Sequence, residues 1–561
     1  MPGIPTTASR SRTPPTNSAL RGAPLLIRKK AAIAAAAILA LSATGCAASV
    51  SAGTSSDSSN SRYGGTLTFL DPVAYTAFNV TNTLWSNSNV VPQLVDRLTY
   101  QDAKTGKIEP WLASSWDVSS DGLTYTFHLR KGVTFSDGTQ LDAQVVKDNY
   151  DQHGLGDKAK GIAADSFFTG YVKSTVVDPS TVSITLSKPD AGFLQVTSIY
   201  RSGIVAKSTL EKDWNAQGQL DNLVGSGPFK VKSHDANNTT ITLERRDDYD
   251  WAPQGFAHQG KAYLKEIVYK TVAEDSVRMG SVKSGQAQIA RNILPTDEAA
   301  LKSAGITVNS YSVQGEVNHL GINLNSKFVD NENVRLALQA ATNRQELRDT
   351  VLSDSYGVAK SVLPQADHNF TDQSSYLQYD QAKAEKLLAD AGFTKGSDGF
   401  LQKDGNTLGF TIYVAPYYQT SKKLLQLLSQ EWGKVGVQLT VKEVDSGTYS
   451  TKILSADTAF NQTQWSRADA DVLRTAFGSE YGFANKVANP ELDKLLQSQA
   501  EAGTPDARQK IVTDIQKYLL EHALEIPLYD ETQVFALAKT VNGFATEPVA
   551  RAELYDTWLS K

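Results

Sequence analysis

One cysteine, two methionines and seven histidines are all that this 561-residue chain holds of those residue types. A lone thiol, Cys46, excludes intramolecular disulfides and any cysteine-built zinc or iron–sulfur centre. It also leaves the body of the chain without a cysteine nucleophile, because it lies upstream of the first strand-like segment. The histidines (His128, His153, His234, His258, His319, His368 and His522) are scattered, and no two stand at the spacing of an H-E-x-x-H site. With so little clustered His and Met, direct ligation of a bare metal is disfavoured, though not of a metal–chelator complex, and no metal or cofactor is expected. A nucleophile elbow of the G-x-S-x-G type and an S-x-x-K motif are both missing. That lowers the case for a secreted hydrolase, although an Asp/His/Ser set could still assemble in space. Beyond the N-terminal region no apolar run reaches the 18 residues of a membrane span. Positive charge is not in excess: 55 Lys and Arg face 60 Asp and Glu, a formal charge of -5, which argues against a general nucleic-acid binder.

What is present begins with an address. Residues 1–45 carry Arg10, Arg12, Arg21, Arg28, Lys29 and Lys30 and no acid. Arg28-Lys29-Lys30 leads into the apolar run Ala31 to Leu41, too short for a permanent span. The stretch Ala43-Thr44-Gly45-Cys46 resembles a bacterial lipobox, with Ala43 where Leu is usual. Residues 1–45 are therefore expected to be a lipoprotein signal peptide and Cys46 the lipidated residue. Their removal would take the formal charge from -5 to -11. Residues 46–62, rich in Ser, Ala and Gly, cannot bury enough apolar surface to fold and read as a flexible tether.

The body divides by rhythm. Leu67 and Phe69, then Leu123, Tyr125, Phe127 and Leu129, then Val182, Ile184 and Leu186, then Ile241 and Leu243 alternate with polar residues, as half-buried strands do. Asp121-Gly122 and Asp137-Gly138 mark turns. Past Tyr311 the rhythm becomes helix–strand. Asp330-Asn331 opens a stripe of Val334, Leu338 and Ala341. Asp380 is an N-cap for Gln381 to Ala391, with Gly392 behind it. Phe410 to Val414, Lys422 to Lys434 and Val437 to Val441 spell β–α–β, the unit of a parallel sheet. Arg508 to Glu521 predicts a further amphipathic helix.

Pro110-Trp111-Leu112-Ala113-Ser114-Ser115-Trp116, followed by Asp121-Gly122-Leu123-Thr124-Tyr125-Thr126-Phe127-His128-Leu129-Arg130-Lys131-Gly132-Val133-Thr134-Phe135-Ser136-Asp137-Gly138, resembles the signature of the bacterial extracellular solute-binding proteins of family 5. This is the dipeptide, oligopeptide and nickel type. Gly225 to Phe229, Ser284 to Ile289, Asn323-Leu324-Asn325, Asn333 to Leu338, Asp380 to Phe393, Asn489 to Asp493 and Ile526 to Tyr529 resemble further landmarks in family order. In that signature Tyr125, Phe127 and Phe135 are expected in the core.

The resemblance implies an α/β, two-lobed periplasmic-binding-protein-like fold (type II, cluster C) with an extra strand-rich subdomain in the first lobe. Lobe I would span 63–312 and return over 531–561, with lobe II over 313–530. It implies a binding protein rather than an enzyme: a monomer on the outer face of the cytoplasmic membrane that captures a small solute, a peptide or peptide-like molecule, between the lobes. The solute would pass to an ABC permease and its ATPase subunits. A peptide-sensing surface receptor is the alternative with the same fold.

Gln464-Trp465-Ser466-Arg467-Ala468-Asp469-Ala470-Asp471 is the candidate ligand loop. In the peptide-binding branch of the family, a Trp is followed three residues on by an Asp that holds the peptide ammonium. Here that third position is Ala468, with Asp469 and Asp471 just beyond. Trp465 is expected to line the cleft, Asp469 or Asp471 to meet a cation, and Arg467 to meet a ligand carboxylate. Asn79 and Asn82, after Phe69-Leu70-Asp71-Pro72, and Tyr417 and Tyr418, after the strand ending at Val414, are further candidate contacts.

The lone cysteine generates the first test. Cys46→Ser should move the protein from the membrane fraction into the medium, and equal membrane retention of the variant would remove the anchor.

Overall fold

The computed structural model describes residues 62–82, 89–415, 419–452, 455, 458–480 and 488–561. Cys46 and the residues before it, together with Tyr417 and Tyr418, lie outside the described residues, as does the side chain of Asn82. No helix among the described residues is long and apolar enough to cross a membrane.

Strand Thr66–Asp71 takes the middle of a seven-stranded sheet. The order across it is Thr307–Ser312, Thr532–Leu537, Ile289–Arg291, Thr66–Asp71, Glu266–Thr271, Thr240–Arg245 and Phe229–His234. Leu67 and Phe69 point to one face and join a large cluster with Val91, Phe127, Ile267 and Phe535. Leu70 points to the other, with Met279, Ala290 and Ala536. Covered on both faces, this strand has buried residues at adjacent positions where a half-exposed strand would alternate.

The signature segment builds a second sheet in the order Ala113–Val118, Thr124–Leu129, Thr181–Leu186 and Tyr171–Asp178. Its first hairpin turns at Gly122, whose φ of +69° disfavours a side chain. The Asp121 carboxylate accepts the Leu123 N–H at 3.0 Å. Tyr125, Phe127 and Phe135 are all buried, and helix Ala143–Leu155, capped by Asp142, packs on the sheet. This sheet shares one apolar cluster with the seven-stranded sheet, and the two sheets together are called lobe I below.

A four-stranded sheet in the order Gly357–Val358, Glu525–Asp530, Asn318–Ile322 and Phe460–Thr463 has an apolar cluster of its own, and the segments packed with it are called lobe II below. Beside it the β–α–β unit runs through Gly409–Val414, helix Gln419–Lys434 and Gln438–Glu443, the two strands parallel. The helix faces Leu424, Leu425, Leu428 and Trp432 into one core with Leu320, Leu338 and Leu388. Asn331 caps helix Glu332–Ala340 and Asp380 caps Gln381–Asp390. The last long helix starts at Pro505, before the expected Arg508. Thr504 caps it by accepting the Ala507 N–H, and Pro505 fits the first turn, where no N–H partner is needed. It packs against helix Pro490–Ala500 to form a separate apolar cluster.

The chain passes between the two sheets at Ser312–Asn318 and again at Asp530–Thr532. The passages lie side by side, with the Val313 N–H donating to the Glu531 carbonyl at 2.8 Å. On the lobe I side, Asp71 at the end of the central strand is wholly buried. It accepts Arg291 at 2.5 and 3.2 Å, the Tyr75 hydroxyl at 2.9 Å and Asn89 at 3.2 Å. These bonds hold the loop leaving the central strand.

Removing one partner of a buried ion pair leaves the other charge uncompensated. Arg291→Met is therefore expected to destabilise the protein by about 3–5 kcal/mol, read as a lower urea midpoint at unchanged slope. A wild-type midpoint would show that the pair does not hold this loop.

Candidate functional site

The loop 464–471 leaves strand Phe460–Thr463 and ends at helix Val472–Phe477. It is pinned from below, where the Glu316 N–H donates to the Trp465 carbonyl at 2.8 Å and Gly315 bridges to Ser466. Gly315 has φ +129°, and a Cβ there would come within 2.2 Å of the Trp465 carbonyl oxygen, so only glycine lets the two backbones approach. From lobe I the Gln101 amide donates to the Ala468 carbonyl at 2.9 Å, and the Ala191 N–H donates to the Ala500 carbonyl at 2.8 Å. The lobes therefore meet at this loop.

Its charged residues are all held by partners within the protein, one pair inside the loop and the others outside it. Arg467, 1% exposed, donates to Asp471 at 2.7 Å and to the Gln195 side-chain oxygen of lobe I at 3.1 Å, with its guanidinium 5.5 Å from the Phe167 ring centre. Asp471, also wholly buried, accepts Arg474 through both oxygens, at 2.6 and 2.8 Å, and the Gln499 amide at 2.6 Å. Asp469 holds Arg508 in a two-pronged pair at 2.5 and 2.8 Å. Arg474 reaches across to Asp190 of lobe I at 2.7 Å. Three carboxylates thus face three guanidiniums in one network that spans both lobes.

Burial alone would push these carboxyls up. For Asp469 burial is the largest influence, but Arg508 and Arg467 together overcome it and hold the carboxyl below the usual range. For Asp471, Arg467 and Arg474 do the same more strongly. Asp190 goes the other way: burial and the neighbouring Asp471 raise it more than Arg474 lowers it.

Above this network lies a small pocket of about 30 Å³ between the lobes. Gln101, Gln195, Tyr200 and Arg551 wall it from lobe I, and Ser466, Arg467 and Ala468 from lobe II. Arg97 also lines it but is held by Glu547 at 2.6 Å. Arg551 differs from its neighbours. It is 5% exposed, its guanidinium stacks 3.7 Å above the Tyr200 ring centre, and its Nε has no hydrogen-bond partner. Among the described residues no carboxylate lies within ion-pair distance of it. Burial pulls it below its ordinary pKa, against the pull of Tyr200 and Glu547.

The other candidates are placed as follows. Trp465 is half-buried and packs on the helical cluster of lobe II with Val472 and Leu496. Asn79 lies inside lobe I, donating to the Trp214 carbonyl at 2.7 Å beside a small cavity with Gln152 and His153. The cleft thus brings together Arg467 and its supporting acids but not Asn79. Arg551, Tyr200 and Gln195 are cleft residues that no motif marked.

A two-lobed α/β body whose lobes meet over a largely apolar cleft with a few arginine and glutamine groups suits the binding of a solute. The chain belongs to the family described as bacterial extracellular solute-binding proteins, family 5, whose middle region matches residues 107–485. The glutathione-binding protein GsiB of Salmonella paratyphi A is 27% identical over 482 residues, covering 82% of this chain and 89% of that protein. Two solved structures share the fold. DppA of Helicobacter pylori in complex with the peptide STSA gives a TM-score of 0.77 at 22% identity, over 90% of this chain and 99% of that one. NikA of Brucella suis in complex with Fe(III)-EDTA gives 0.75 at 23%, over 88% and 100%. The protein is a family 5 solute-binding protein of the ABC-transporter type.

The Asp469–Arg508 pair sets a pH dependence. The folded carboxyl lies below its unfolded value of about 3.9, so its stabilisation is complete above about pH 4 and is lost as the pH falls through the folded value. Asp469→Asn should cost about 3–5 kcal/mol near pH 7 and progressively less below pH 4. Urea unfolding of both proteins from pH 7 to pH 3 measures this; a gap that does not narrow would assign the effect elsewhere.

Proposed function

We propose that this chain is the lipid-anchored, extracytoplasmic receptor of an ABC importer, and that its solute is a peptide or peptide-like molecule bearing a carboxylate. The observation that carries the solute class is Arg551. A buried guanidinium without a carboxylate partner is unfavourable unless something else neutralises it. Its planar, two-pronged donor face suits a carboxylate, and its position on the wall of the inter-lobe cleft is where a solute would lie. The relative named for glutathione binding and the neighbour crystallised with a tetrapeptide support the same class.

In this reading Arg551 takes the solute carboxylate, while Gln101, Gln195 and Ser466 offer hydrogen bonds to its amides. Arg467 completes the lobe II wall, with Asp471 fixing its orientation and Asp469 holding Arg508 behind it. Trp465 contributes by setting the backbone of the loop. The anchor rests on the segment before Cys46, and delivery to a permease rests on the family. Uptake that survives deletion of the permease, alongside intact binding, would favour the sensing receptor instead.

Mass spectrometry of small molecules released on denaturing the purified protein should find a carboxylate-bearing, amide-containing compound. Calorimetry then compares that compound with its amidated form. Loss of a charged hydrogen-bonded contact costs about 2–5 kcal/mol, so Arg551→Met should weaken binding of the acid by roughly 30-fold or more and leave the amide unchanged. Wild-type affinity for the acid in a folded Arg551→Met protein would move the solute away from this wall.

A further inference from the structure

Three ionisable side chains buried away from the cleft converge where lobe II meets the passages between the lobes. Glu316 lies within the first passage, His319 in strand Asn318–Ile322, and Glu525 at the start of the strand leading to the second. Their exposures are 0%, 1% and 0%. One ligand-type atom from each lies within 4.8 Å of the others.

The hydrogen bonding around them is incomplete in one direction only. His319 Nδ1 donates to the Val317 carbonyl at 2.9 Å, which leaves the Nε2 lone pair facing the glutamates. Nε2 stands 3.3 Å from a Glu525 oxygen, with no hydrogen bond formed there. By distance and angle none of the four buried carboxylate oxygens of Glu316 and Glu525 has a hydrogen-bond partner, although the Trp465 backbone N–H approaches the Glu316 carboxyl and works against its upward shift. No Lys or Arg among the described residues pairs with either glutamate. Burial raises both carboxyls well above their ordinary range and lowers His319 to about 4, so uncompensated charge here is strongly disfavoured.

We propose that Glu316, His319 and Glu525 form a buried site for a divalent first-row transition ion of the zinc class. Two carboxylates and one dication sum to zero charge, which cancels the desolvation problem that no nearby side chain relieves. An imidazole with its other nitrogen bonded to a backbone carbonyl is the usual supported metal ligand. Nitrogen in the donor set favours zinc, cobalt, nickel or manganese over calcium and magnesium, which take oxygen. Ligand-to-zinc distances of about 2.0–2.2 Å require the three groups to draw together, which the two glutamate side chains can do by rotation. The ion would cross-link the strands that feed both inter-lobe passages. Because Glu316 also holds the Trp465 carbonyl, it would fix the floor of the cleft loop.

The rival arrangement without an ion is a neutral one: protonated carboxyls beside a neutral imidazole. Full-length protein stripped with a chelator, titrated with Zn²⁺ and with Co²⁺, separates the two. We expect one bound equivalent, visible d–d bands with Co²⁺, an absorption-edge spectrum showing nitrogen and oxygen ligands, and a rise in melting temperature. Infrared spectra should lose a protonated-carboxyl band as Zn²⁺ binds. Glu316→Gln and His319→Gln should each abolish the bound equivalent; should either fail to fold, the wild-type titration and spectra decide alone. No bound metal in folded, stripped wild-type protein, a protonated-carboxyl band that persists at saturating Zn²⁺, or full binding in the folded variants would each overturn the site.

Discussion

A charge withdrawn from water must be neutralised by a partner, and much of this protein's architecture follows from where those partners come from. In the cleft floor Asp471 is satisfied by Arg467 and Arg474 from its own segment. Asp469 needs Arg508 from the last long helix, and Asp190 needs Arg474 from the opposite lobe. The network therefore ties a loop to a helix and one lobe to the other with the same set of bonds. Asp71 and Arg291 apply the same rule within lobe I. Because each group serves two neighbours, the arrangement is cooperative: loosening one pair exposes the next to an uncompensated charge.

The same rule makes the exceptions informative. Arg551 is buried against Tyr200 without an acid, and Glu316 and Glu525 are buried without a base other than His319. One is a guanidinium that opens on the cleft; the other is a pair of carboxyls that lies beneath it. Other buried charges without an ion pair, such as Asp96, Asp367, Arg335 and Arg344, are met by neutral hydrogen bonds from the chain itself.

Much of the fold is legible in the sequence because it is written in local periodicity. Alternation over Leu123 to Leu129 yields strand Thr124–Leu129, and Asp380 with Gly392 brackets helix Gln381–Asp390. Where the reading slipped, the signal was local as well: Thr504-Pro505 is a cap and first turn that an apolar stripe alone does not reveal. The site is legible in part. Arg474 stands three residues after Asp471, within the first turn of helix Val472–Phe477, so that pairing could be read from helical spacing. Asp190, Arg508 and Arg551 come from remote segments, and only the folded chain brings them to the loop. His319 shares the fate of its partners, since its ligand-like neighbours stand three residues before it and far downstream.

The sheet order has a bearing on how the molecule is made. Among the described residues the edge strand Thr307–Ser312 of lobe I pairs with no strand except Thr532–Leu537, which also pairs with Ile289–Arg291. A ribosome delivers that inner strand only after all of lobe II. Until then the nascent first lobe carries a gap in its main sheet, with open backbone donors and acceptors on both sides. Lobe II must likewise wait for Glu525–Asp530 to fill the place beside Asn318–Ile322. Neither half can complete its sheet early, so translation ends with both lobes closing almost together. A truncation late in the chain removes the interior of the first lobe rather than its margin.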